Sequence, residues 1–186
     1  MRDFKGYRIS LNELLKCSIV VGFLNVIFFL LTKETGWLSD DYPLVFSAKL
    51  FNLINEQTFF IKDALAFSET RFVPFYSLMF QLFPDDYISF HGTVIFFFFL
   101  SSLMVFVITK KITNSTNVSL LTSILYTIHY GINIKSLSWI CFGGHIINSA
   151  LGFLSVYLFI LFLERKKNRG LYLFSFILFS LAGALI

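Results

Sequence analysis

Two adjacent carboxylates, Asp40 and Asp41, stand just beyond the first long apolar run of this chain. A carboxylate near a bilayer surface suits general-base work in sugar transfer, because it can take the proton from a hydroxyl or amine as that group attacks. Lys62 and Arg71 follow in the same segment, His91 opens the next apolar run, and His145 opens a later one. Either aspartate could equally cap a helix begun by Pro43, and one residue could do both. Asp85 and Asp86 follow a proline and precede a helix, so capping is the reading for them.

The elements that must position these groups are membrane helices. The chain is 56% hydrophobic and 14% charged, where a soluble domain carries about a quarter charged residues. The shortage comes from recurring uncharged runs at 14–31, 91–109, 118–134 and 145–163. Each is close to the ~20 residues that cross ~30 Å of hydrocarbon. Lys16 alone intrudes, near an end where it can snorkel to headgroups. A fifth run, 171–186, reaches the end of the sequence and is expected to be a truncated span. The fold class expected is all-α: one transmembrane domain over 1–186, a polytopic helix bundle. The first run is long for a signal peptide, and no small-x-small cleavage site follows it.

Cytoplasmic segments carry the excess of Lys and Arg. With the N-terminus inside, ten basic residues fall inside (Arg2, Lys5, Arg8, Lys16, Lys110, Lys111, Arg165, Lys166, Lys167, Arg169) and five outside. Eight acids fall outside, among them Asp40, Asp41, Asp85 and Asp86. The loop 32–90 is therefore extracytoplasmic, and all three histidines lie toward the same side. The expected location is the plasma (inner) membrane, multi-pass, with the N-terminus cytoplasmic. Cys17 and Cys141 have no metal-ligand spacing and are not expected to pair. Asn114-Ser-Thr and Asn117-Val-Ser match the glycosylation acceptor pattern, but on the inner side they read as turn chemistry.

The long outer loop is too apolar for a floppy linker. Lys49, Asn52 and Asn55 recur at three-residue spacing among apolar residues, the pattern of a helix lying in the membrane interface. Phe59–Phe67 behaves similarly, and Pro74 suits the first turn of a further helix.

With Asp40-Asp41-Tyr42, Arg71-Phe72-x-Pro74 and a short second outer loop holding Trp139 before His145, the chain resembles the N-terminal part of the GT-C superfamily. That group of polytopic glycosyltransferases includes the protein O-mannosyltransferases and lipid A aminoarabinose transferases. The resemblance implies a sugar moved from a polyprenyl-phosphate donor to a glycan, lipid or protein acceptor at the outer face. Asp40 matches the first acid of the pair and would be the general base, with Asp41 as its alternative. Arg71 would bind the lipid phosphate, since a guanidinium fork matches phosphate oxygens, and Lys62, His91 or His145 could assist. The second outer loop, 135–144, holds no acid to complete a two-carboxylate mechanism. No cofactor is required by these residues and no metal site is assigned, although Asp40 or Asp41 with phosphate could hold Mg²⁺ or Mn²⁺. The partners implied are membrane lipid, donor and acceptor, with no nucleic acid.

Two other classes compete. A transporter or flippase would place acids or broken helices near mid-membrane, whereas here the acids sit in one outer loop. A non-catalytic membrane assembly protein would tolerate neutral replacement of both aspartates.

Overall fold

The structure, a computed structural model, describes residues 9–34, 36, 82–83, 86–132, 143–165 and 169–184. Five helices order them: α1 (Leu11–Thr32), α2 (Tyr87–Thr113), α3 (Thr116–Ile132), α4 (Gly143–Arg165) and α5 (Arg169–Ala184). No strand occurs among the described residues. Three helices are long and apolar enough to cross a membrane: α1, α2 and, within α4, His145–Glu164. With 17 residues, α3 is shorter, and α5 has 16. At 1.5 Å per residue each covers about 25 Å. The interfacial helices expected in the first long loop lie outside the described residues.

These helices are apolar nearly all round, as a helix must be when its outer face meets lipid rather than water. On α1, Ile19, Phe23, Val26 and Leu30 are all more than half exposed. In water that stripe would oppose folding, and in hydrocarbon it matches the solvent. Inward contacts are made by two layers of side chains. Val94, Ile95, Phe98 and Ile146 form one, joined by Phe28, Phe29 and Tyr126. Cys17, Val21, Phe106 and Val107 form the other.

Small hydroxyls let the backbones approach between these layers, which is how helices associate where the hydrophobic effect is absent. Ser123 Oγ donates to the Ser102 carbonyl at 2.6 Å, joining α3 to α2. Ser155 and Ser175 each donate to the other's carbonyl at 2.8 Å, a reciprocal pair that joins α4 to α5.

The helix ends fix the direction of each element. Ser10 and Glu13 form a capping box that starts α1. Asn114, in the left-handed region at φ 55°, ends α2 by donating its N–H to the Lys110 carbonyl, a conformation asparagine tolerates. Its place there agrees with the turn reading of the Asn114-Ser-Thr sequence, whereas Asn117 lies in the first turn of α3 and is helical, against the turn expected for it. Glu13 at the start of α1 bonds Lys110 near the end of α2 and Thr116 at the start of α3. Lys111 bonds Glu164 at the end of α4. At the other end, Thr32 on α1 meets His91 near the start of α2. The helices therefore alternate up and down. The ends of α1 and α3 and the starts of α2 and α4 thus share one end of the bundle, while Asn114-Ser115 joins α2 to α3 at the other.

Candidate functional site

Asp40, Asp41, Lys62 and Arg71 lie outside the described residues. The structure does describe both anchors of the segment that carries them, and the two histidines. Asp86 sits just before α2 and caps it. One carboxylate oxygen accepts from the Ser89 N–H at 3.3 Å and the other from the Ser89 hydroxyl at 2.5 Å. The Ser89 hydroxyl, followed by the Ser89 N–H, holds the Asp86 carboxyl below its ordinary range. Asp86 thus has the capping role that its position after Pro84 suggested.

His91 falls one turn into α2 and is wholly buried. Its ring is stacked between Phe29 of α1 and Tyr87 of its own helix, with centroids 5.6 Å away on each side. Nε2 lies 2.5 Å from Thr32 Oγ1. The Thr32 hydroxyl donates to the Phe28 carbonyl at 2.6 Å, so its oxygen is left to accept from Nε2–H. On that assignment Nδ1 carries the lone pair, and it is buried without a hydrogen-bond partner among the described residues. The bond also ties the last turn of α1 to the start of α2 in one knot of four side chains, Phe29, Thr32, Tyr87 and His91.

His145 is exposed in the first turn of α4. The next residue, Ile146, packs on Val94, Ile95 and Phe98, one to two turns along α2 from His91. The two candidate histidines thus share one half of the bundle but differ in access, His91 enclosed and His145 open. His129, in the last turn of α3, is exposed.

Comparison with protein-family models, curated proteins and solved structures gives no match for this chain. The site therefore rests on its own geometry and on the sequence elements between Asp40 and Pro74.

Three polar residues in this half of the bundle were not singled out from the sequence. Thr32 is the partner that holds His91. Asn25 and Asn148 are 3% and 5% exposed, and Asn25 Oδ1 and both amide atoms of Asn148 lack partners among the described residues. The signal available was an amide inside an apolar run, since a buried amide without a partner costs about 1–3 kcal/mol. No group of three or more His, Cys, Asp or Glu is arranged to hold a metal among the described residues. At the opposite end four charges are committed to the fold: Lys110 bonds Glu13 and Thr116, and Lys111 bonds Glu164.

Proposed function

We propose that this chain is part of a membrane glycosyltransferase of GT-C type, moving a sugar from a polyprenyl-phosphate donor to an acceptor at the extracytoplasmic face. The observation that carries the reading is the Thr32–His91 closure. It gives the loop bearing Asp40, Asp41, Lys62 and Arg71 a common base at one end of the bundle, where the donor's phosphate would lie at headgroup depth. The positive-inside pattern assigns that end to the outer face and the N-terminus to the cytoplasm of the plasma (inner) membrane.

In the proposed reaction the acceptor hydroxyl or amine gives its proton to Asp40, with Asp41 as the alternative base. The freed lone pair forms a bond to the anomeric carbon, and the bond from that carbon to the phosphate oxygen breaks. Polyprenyl phosphate leaves with the electron pair, and Arg71 compensates its charge. A single displacement of this kind inverts the anomeric centre. Exposed His145 can meet the phosphate directly, whereas His91 would act by holding the base of the loop. General-base catalysis of this type contributes ~10²–10⁴-fold.

The deciding experiment reconstitutes the protein in liposomes with labelled polyprenyl-phosphate sugars and envelope acceptors. Wild type is compared with Asp40→Asn and Asp41→Asn at matched expression. Loss of transfer with one substitution and donor binding intact identifies the base. Transfer that survives both substitutions reduces the pair to helix caps and removes the reading.

One observation favours a second reading, a transporter or flippase: unpartnered polar groups on Asn25 and Asn148 inside apolar helices, where such groups commonly mark a pathway. Lipid or solute flux in the same liposomes, unaffected by Asp40→Asn and Asp41→Asn, would establish it.

A further inference from the structure

A groove of about 360 Å³ runs along the outside of the bundle between α1 and α2. Gly22, Asn25, Val26 and Phe29 line it from α1, with Gly92 and Phe96 among the residues from α2. The glycines keep it open. A Cβ at Gly22 would meet the Phe99 ring at 3.6 Å, and one at Gly92 would meet the Phe29 ring at 3.9 Å. Val26 and Phe96 stand at its rim, 55% and 54% exposed.

Asn25 is the polar side chain in this apolar lining. Its Nδ2 donates one hydrogen to the Val21 carbonyl at 2.9 Å, while Oδ1 has no partner among the described residues. The amide therefore holds one spare acceptor and a second N–H. Asn25 lies seven residues before the end of α1, about 10 Å along the helix from Thr32. Lipid headgroup donors sit above that depth, and the acyl chains at that depth have none. A neighbouring helix can bring a donor there.

We infer that the groove is a homodimer interface, with α1 of a second copy packed against α1 and α2 of the first. Two copies inserted in the same orientation place residue 25 at the same depth without any search for register. The amide is self-complementary: Asn25 is 3% exposed in the single copy, and a change of χ1 and χ2 that brings it out to the groove lets each Oδ1 accept the partner's spare Nδ2–H. Gly22 and Gly92 supply the small residues that let helix backbones close in hydrocarbon. The inference rests on the membrane placement of α1 and α2 and is independent of the transferase reading.

The test is energy transfer between donor- and acceptor-labelled copies of the full chain in liposomes, over a range of protein-to-lipid ratios. Wild type should associate, and Asn25→Leu should move the midpoint to about 3- to 30-fold higher density, the range expected for loss of interhelical hydrogen bonds. Gly22→Ile, which fills the groove, should weaken association without touching the amide. In a Cys17→Ala, Cys141→Ala background, Val26→Cys should form disulfide dimers, whereas Leu121→Cys, exposed on α3, should not. At protein densities too low for association, Asn25→Leu should melt no lower than wild type, since the oxygen it removes is unsatisfied in the single copy. Wild-type copies that stay apart at every ratio would overturn the inference, as a groove filled by lipid would produce. So would association unchanged in both variants, or cross-linking at Leu121 in place of Val26.

Discussion

Glu13 and Lys110 are joined at 2.8 Å across 97 residues of sequence, and the same carboxylate closes the capping box of α1 with its other oxygen. One side chain therefore starts the first helix and ties it to the end of the second. Lys110 and Lys111 are consecutive, and consecutive helical residues point about 100° apart. That divergence lets Lys110 reach α1 and α3 while Lys111 reaches α4, so four helices are gathered at one end by two adjacent lysines.

The two pairs differ in enclosure. Glu164 and Lys111 are 10% and 9% exposed, whereas Glu13 beside Lys110 is 24% exposed. Removing one member of an enclosed pair leaves an uncompensated charge. Glu164→Gln should lower stability by about 3 kcal/mol, and Glu13→Gln by less. The double change Lys111→Met, Glu164→Leu should recover most of the loss, because it strands no charge. Unfolding in mixed detergent, read by helical circular dichroism, ranks these variants.

Asp86 sets an acid limb on stability. Its folded pKa is lowered by the Ser89 hydroxyl and N–H, so its contribution is full above the unfolded value of about 3.9. It is lost as the pH falls through the lower folded value. Melting curves taken downward from about pH 5 should show this loss at the start of α2. Asp86→Asn keeps a cap and should flatten the limb, while Asp86→Ala should lose both cap and limb. Exchange of the Ser89 amide hydrogen follows the cap directly.

These pairings mark how far the sequence could be read. The expected spans 14–31, 91–109 and 145–163 lie inside helices running 11–32, 87–113 and 143–165. Hydropathy locates the uncharged centre, but the helices continue through Glu13, Lys110, Lys111 and Glu164 because each charge finds a partner. Those partners come from distant parts of the chain, so no local pattern announces them. His91 could be marked as an ionisable group at a span's edge. That Thr32 would hold it, 59 residues earlier, depends on the packing of α1 against α2.

The serine pair between α4 and α5 should behave as a close-packed seam. Ser155→Ala removes one of two reciprocal bonds and should cost about 0.6 kcal/mol, the average for interhelical hydrogen bonds in membranes. Ser155→Leu should do more, because its bulk parts backbones that now approach through hydroxyls. Cysteines placed at Phe162 and Tyr172, whose rings lie 5.2 Å apart, should be joined by a short bifunctional thiol reagent in wild type and in Ser155→Ala. They should fail to do so in Ser155→Leu.

His91 offers a separation of packing from chemistry. Thr32→Val removes the acceptor for Nε2–H and leaves a second buried ring nitrogen unsatisfied, a cost of about 1–3 kcal/mol. His91→Leu removes both nitrogens at once and keeps an apolar group between Phe29 and Tyr87, so it should destabilise less than Thr32→Val. If His91 serves only to close the loop's base, transfer activity should follow thermal stability across the two variants. A transfer rate that collapses in His91→Leu while stability holds would place the imidazole in the reaction itself. The measurement is the melting temperature and the rate of labelled sugar transfer in the same liposome preparation.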